Sequence, residues 1–217
     1  MEMWICAWVH LYWPVTGSHA VQCSTTRIVT WPVIGCCALG LSQGAFFGAG
    51  PSFGHGMAFD KNAVALFMTL GTLGGGLMQV PVRWAADRWG RHRVASIAAG
   101  CAIPTLLLSI AGMDTGDAPL RLALLIGLWG GVTIPIYPLL LAEANEGLDY
   151  ANMVSVSGRL ILAFGAGAIL GPLGATSLMG LVGSIGFYVF LIAANTTLLV
   201  GALARVGKTA TPVRVRD

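Results

Sequence analysis

The chain contains one very long stretch without a charged residue, and this stretch constrains the fold more than any other feature. No Asp, Glu, Lys or Arg occurs between Arg159 and Arg205. A helix needs about 20 apolar residues to cross the hydrocarbon core of a bilayer, so the stretch is about twice the length of one span. Gly180, Gly183 and Gly186 favour a tight turn near its middle. The pattern predicts two membrane-spanning helices joined by a short turn.

The composition of the whole chain agrees with a membrane location. Hydrophobic residues make up 56% of the 217 residues and charged residues only 10%, whereas soluble domains carry about 25% charged residues. A soluble all-α domain could not hide this much apolar surface. The net charge of +3 is not arranged as one basic stripe, so a nucleic-acid partner is not expected.

The remaining apolar runs predict an all-α integral membrane protein with six transmembrane helices, and membrane lipid as its surroundings. The six-helix unit is expected over residues 31–205, and a basic cytoplasmic tail over residues 206–217. The N-terminal segment 1–30 contains an apolar run that is too short to span the membrane, and its structure stays uncertain. The expected spans cover about residues 31–53, 62–82, 94–113, 122–142, 160–181 and 185–204.

The distribution of basic residues predicts the orientation. With six spans, only Lys61 and Arg121 fall on one side of the membrane. Because Lys and Arg favour the cytoplasmic side, both termini are expected in the cytoplasm. The basic residues on that side are Arg27, Arg83, Arg88, Arg91, Arg93, Arg159, Arg205, Lys208, Arg214 and Arg216.

Signatures of catalysis and metal binding are missing from the sequence. The five cysteines include no Cys-x-x-Cys pair and are interpreted as small apolar residues. No zincin, nucleophile-elbow or phosphate-loop motif occurs. We therefore expect neither an enzyme nor a bound metal or cofactor.

A basic segment after the second span resembles the loop signature of the major facilitator superfamily of transporters. The segment runs from Arg83 to Arg93 and reads Arg-Trp-Ala-Ala-Asp-Arg-Trp-Gly-Arg-His-Arg. The signature is Gly-x-x-x-Asp-Arg-x-Gly-Arg-Arg, and this chain departs from it at Arg83, in place of the first Gly, and at His92, in place of the last Arg. The residues that carry the resemblance are Asp87, Arg88, Gly90 and Arg91, with Arg93 one position after the last Arg of the signature.

Three further stretches extend the resemblance to one branch, the YcaD-like transporters. They are residues 77–81, residues 130–138 followed by 142–146, and residues 165–172. The resemblance implies the C-terminal six-helix half of such a transporter, built as a 3+3 inverted repeat. It implies transmembrane solute transport by alternating access as a secondary carrier in the bacterial inner membrane, and an N-terminal half or self-association to complete the site. The alternative is a non-transporting membrane scaffold or an inactive truncated remnant.

The resemblance also assigns roles to residues. The basic segment is interpreted as a gating loop, in which Gly90 reverses the chain and Asp87 can pair with the arginines around it. The first and fourth spans are expected to line the substrate pathway, although each polar group could equally serve helix packing. The pathway candidates are Ser42, Gln43, Phe46, Trp129, Thr133 and Tyr137.

Two further patterns concern helix geometry. Gly40, Gly44 and Gly48 recur every four residues and share one helix face, which favours close packing or sliding of helices in lipid. Pro104, Pro135, Pro138 and Pro172 lie within spans, and each tends to kink its helix because proline cannot donate a backbone hydrogen bond. Pro135 and Pro138 predict a bend in the fourth span near Tyr137.

Overall fold

The computed structural model describes residues 26–113, 118–146, 148 and 150–209, and most of the N-terminal segment 1–30 and of the tail 206–217 lies outside these ranges. The described residues form helices and turns, with no strand among them. Six helical stretches are long and apolar enough to cross a membrane. The helices are α1 Thr26–Gly56, α2 Lys61–Trp89, α3 Arg91–Ala111, α4 Ala118–Thr133, α5 Ile136–Ala144, α6 Tyr150–Val182 and α7 Ile185–Thr209.

The fourth span is interrupted, and α4 and α5 are its two parts. The interruption lies at residues 134 and 135, where Pro135 lacks the N–H that would continue the helix. Pro138 is tolerated in the first turn of α5, where backbone N–H groups need no partner within the helix. The expected bend is confirmed, while α3 and α6 continue unbroken through Pro104 and Pro172.

The connections on both sides of the bundle are short. Gly90 alone separates α2 from α3, at φ 92°, and Gly183 begins the turn between α6 and α7 at φ 75°. Both values lie in the region that glycine adopts without steric cost. The basic segment after the second span is thus helical as far as Trp89, and only Gly90 acts as the turn.

Two seams of glycine hold the spans together. Along α1, Gly40 and Gly44 face the backbone of α6 at Phe164 and Ala168, so that a Cβ on Gly44 would lie 2.6 Å from the Cα of Ala168. Along α2, the backbone around Gly74 faces α4 at Gly127 in the same manner. Such close approach gives helices van der Waals contact in lipid, where water does not drive association.

The two seams are related by the order of the chain. The α1–α6 seam joins the first span to the fifth, and the α2–α4 seam joins the fourth span to the second. In a 3+3 repeat the first span corresponds to the fourth and the second to the fifth. The contact between the first and fifth spans therefore corresponds to the contact between the fourth and second spans. Because each unit has three spans, the second unit runs in the opposite sense across the membrane.

Burial differs strongly among the spans. In the most apolar stretch of α1, 67% of the residues are buried, and in that of the fourth span 56%, but in α2 and α6 only 17%. The first and fourth spans therefore form the centre of the bundle, while α2 and α6 each leave a long face uncovered. Two buried layers fill the interior: an aromatic layer around Phe46, Phe67 and Trp129, and a layer of smaller side chains around Leu39 and Ile136.

Candidate functional site

A cavity of about 580 Å³ lies against the seam between α1 and α6, and we call it the α1–α6 cavity. Phe47 is 50% exposed and marks its open side. The helical spacing of Gln43 and Phe47, four residues apart, brings both to this face of α1. The lining residues are Gln43, Gly44, Phe47, Gly48, Phe164, Ala168 and Pro172.

Gln43 is the one polar side chain in this lining. It is only 8% exposed, and its Nε2 has no hydrogen-bond partner among the described residues. A buried donor without a partner destabilises the fold by about 1–3 kcal/mol. Nε2 has almost no exposed surface, so a group that enters the cavity would meet it after a rotation of the amide.

The neighbouring candidate, Ser42, points into the bundle instead of the cavity. Asn195 on α7 donates a hydrogen bond from Nδ2 to Ser42 Oγ at 2.9 Å and another to the carbonyl of Leu191 at 2.8 Å. Consecutive residues on a helix point about 100° apart, so Ser42 and Gln43 cannot share a surface. Ser42 links α1 to α7 in this structure.

Two aromatic candidates lie in the aromatic layer. Phe46 and Trp129 are fully buried, and their ring centroids are 5.4 Å apart. Thr133, one turn after Trp129, is also fully buried, and Thr133 Oγ1 has no hydrogen-bond partner among the described residues. The structure thus places these three side chains in the interior, behind the cavity wall.

Tyr137 is the candidate of the fourth span that approaches the cavity. The break before α5 turns its ring toward α6, where its centroid lies 4.8 Å from that of Phe164, a lining residue. Among the candidates, Gln43 thus lines the cavity and Tyr137 contacts one of its lining residues. The sequence reasoning missed Phe47 and Phe164, although the spacing of Gln43 and Phe47 was a signal for the first of them.

The gating loop places its charged groups differently from the expectation. Arg91 Nη1 donates to the carbonyl of Ala142 at 3.2 Å and lies 3.5 Å from a carboxylate oxygen of Glu146. The guanidinium of Arg88 lies over the Trp84 ring, 5.7 Å from its centroid. Arg91 and Arg88 thus contact groups other than the Asp87 carboxylate.

The expected pairing of Asp87 is not found. Asp87 is exposed, and none of the described basic groups lies within ion-pair distance of it. The reason is the reversal at Gly90, which puts Arg91 on α3 and directs it to the end of α5. An exposed acid in the last turn of α2 faces the negative end of the helix dipole, which disfavours it. Arg93, the last residue of the basic segment, is also exposed.

Three polar residues and one glycine follow the uncovered face of α2, and we call them the polar stripe. Its members recur at spacings of four, three and four residues, which puts them on one helix face. All of them are exposed, and a Cβ added to Gly76 would meet no atom within 4 Å. The stripe consists of Thr72, Gly76, Gln79 and Arg83.

The chain is similar to bacterial proteins named as uncharacterized MFS-type transporters. The relative named YcaD in Salmonella typhi is 25% identical over 181 residues, which cover 83% of this chain and 46% of the relative. A relative named Ent638_1421 in Enterobacter sp. (strain 638) is 25% identical, and YcaD of Escherichia coli O17:K52:H18 (strain UMN026 / ExPEC) is 26% identical, over the same shares of each chain.

These comparisons confirm the resemblance to the YcaD branch. The chain spans about half the length of the curated relatives it matches. No family model matches the chain, and no solved structure does either. Together with the six apolar helices, the relatives indicate an integral membrane protein related to transporters.

Proposed function

We propose that this relative of the MFS-type transporters works as one half, the C-terminal one, of a secondary carrier that moves a solute by alternating access. The single observation that carries the proposal is the polar stripe on α2. Thr72 and Gln79 lie exposed within the expected span 62–82, and Gly76 between them leaves this face open. Polar side chains in a membrane span face protein or a water-filled cavity, because exposure to lipid is costly. The stripe therefore needs a second membrane-embedded body beside it.

The location of the α1–α6 cavity supports the same arrangement. It opens on the surface of the bundle at Phe47, and a second body packed against α1 and α6 at this opening would close it. Carriers of this kind hold their substrate between two such bodies, which rock about the site. One six-helix unit supplies only one wall.

Asp87 is proposed to contribute to gating through the same second body. It lies exposed at the C-terminal end of α2, where the helix dipole disfavours a negative charge. A cation or a helix N-terminus of the second body would stabilise it in one conformation and release it in the other. A contact made in only one state shifts the equilibrium between the states.

Co-expression of this chain with a second six-helix unit tests the proposal. The chain would be expressed with the half of a YcaD relative that it does not match, and alone, in the inner membrane of a bacterium. We expect a stable assembly of two six-helix units in a native mass measurement, and uptake of solute only when both are present. A strictly monomeric chain that transports alone would overturn the two-body proposal, and an assembly without uptake would favour a scaffold or an inactive remnant.

A bulky substitution at the stripe tests which face is covered. Gly76→Phe places a ring where the chain itself has no atom within 4 Å, so the isolated bundle should fold as before. We expect it to abolish association with the second unit. Leu107→Phe, at an exposed residue of α3, is the matched control and should leave association intact. Equal association of both variants would show that the stripe faces lipid.

A further inference from the structure

We propose that the α1–α6 cavity binds an uncharged, largely apolar solute that carries one hydrogen-bonding group, recognised by the amide of Gln43. The inference deepens the proposed transport function and rests on it. It concerns the chemistry of the solute and the residue that selects it. The cavity volume of about 580 Å³ lies in the range of about 300–1,000 Å³ typical of small-molecule sites.

The walls of the cavity favour a solute with a large apolar part. Phe47, Phe164 and Pro172 present rings and aliphatic carbon to the interior. Gly44 and Gly48 lie where α1 meets α6, and a Cβ on Gly48 would lie 2.8 Å from the Cβ of Pro172. The floor of the cavity is therefore closely packed, which leaves aromatic and aliphatic contact as the main interaction with a ligand.

The lining that this chain supplies carries no charge that would attract an ionic solute. Within the described part of the chain, no Asp, Glu, Lys, Arg or His lines the cavity. An ion that entered would lose its hydration without gaining an opposite charge, and this costs far more than the loss of one neutral hydrogen bond. The wall that this chain supplies therefore offers no opposite charge to an anion or a cation, and a neutral solute fits it best.

Gln43 supplies the polar part of the recognition. It is only 8% exposed and its Nε2 lacks a partner within the described residues. A carboxamide presents both donors and an acceptor, and rotation of the amide exchanges their positions. A carbonyl, hydroxyl or amide on the solute would satisfy this group, and a pure hydrocarbon such as a lipid chain would not.

Photoreactive benzophenone probes of different charge test the inference. The full chain in lipid nanodiscs would be labelled with 4-benzoylbenzamide, which is neutral, with 4-benzoylbenzoate, and with a benzophenone that bears a trimethylammonium group. We expect saturable labelling by the neutral probe at Phe47 and within residues 164–172, identified by mass spectrometry. The two charged probes should label these positions at least roughly tenfold less, because their charge finds no partner.

Substitution of Gln43 identifies the recognising group. Gln43→Leu keeps the size of the side chain and removes the amide, so affinity for the neutral probe should fall roughly threefold to tenfold. Gln79→Leu, on the uncovered face of α2, is the matched control and should leave affinity unchanged. If Gln43→Leu fails to fold by gel filtration and thermal unfolding, Gln43→Asn retains the amide in a shorter side chain and should also weaken binding.

Two results would overturn the inference. One is equal labelling by the charged probes, and the other is labelling that Gln43→Leu and Gln43→Asn both leave unchanged, as expected for a lipid-filled cavity. Because the probes need no second unit, the test is separate from uptake. Uptake without Gln43-dependent binding would retain the proposed transport and defeat this inference. Gln43-dependent binding without uptake by the assembly would support this inference and contradict the proposed transport.

Discussion

Gly44 and Gly76 show how the same residue type serves opposite purposes in this bundle. Gly44 lies in the α1–α6 seam, where a Cβ would meet the backbone of Ala168, and Gly76 lies on the exposed stripe of α2 with no atom nearby. The distinction cannot be made from glycine spacing alone. It requires the neighbouring helix, which only the tertiary structure provides.

Replacing each of these glycines by alanine should have opposite effects on stability. Gly44→Ala forces α1 and α6 apart, and overpacking of this kind typically destabilises by about 1–3 kcal/mol. Gly76→Ala adds a better helix former without a clash and should stabilise by up to about 1 kcal/mol. Thermal unfolding in mild detergent measures both. Equal melting temperatures for the two variants would show that the seam is not closely packed.

At the scale of elements, the chain reversal at Gly90 brings the start of α3 into contact with the broken fourth span. Arg91, the first residue of α3, donates to the carbonyl of Ala142 near the C-terminus of α5. Carbonyls in the last turn of a helix lack partners within the helix, and a cation there is favourable. The short α5 is thereby held at its far end by a charge from another span.

Loss of the Arg91 contact should loosen α5 locally. Because Arg91 and Glu146 are partly exposed, with side-chain exposures of 36% and 71%, Arg91→Ala should cost only about 1 kcal/mol. We expect faster amide hydrogen exchange over residues 136–146, with an intermediate effect for Arg91→Lys. Arg93→Ala removes an exposed arginine of the same turn and should leave exchange unchanged. Identical exchange in all variants would contradict a role for Arg91.

Much of the fold follows from the sequence, and less of the site does. Charge-free runs and turn glycines are local signals, so they predicted six spans and the turn at Gly183; Pro135 likewise predicted the break before α5. Ser42 and Gln43 were equivalent as polar residues in one span, and only the positions of α6 and α7 separate them. Asp87 could be expected to pair until the structure showed that Arg91 belongs to the next helix and points elsewhere.

At the scale of the whole molecule, the orientation in the membrane follows from the alternation of the spans. The turns after α1 and before α4 lie on one side, and the turns at Gly90 and before α6 lie on the other. The basic residues concentrate on the second side, which we expect to be cytoplasmic.

Single cysteines on opposite sides test this orientation. Lys61→Cys and Asn152→Cys lie near opposite ends of the spans, each at an exposed position, in a chain whose five cysteines are replaced by alanine. A membrane-impermeant maleimide added to intact cells should label position 61 and should reach position 152 only after the membrane is opened. Labelling of both positions in intact cells would contradict the six-span alternation.

The turn between α6 and α7 also bears on how the chain enters the bilayer during synthesis. It consists of Gly183 and Ser184, and no charge lies on either side of it from Leu160 to Ala204. Neither helix therefore has a flanking charge to halt or orient it separately at this end. The two helices are expected to leave the translocon together as a hairpin, so that a lysine pair placed in the turn would delay insertion of both at once.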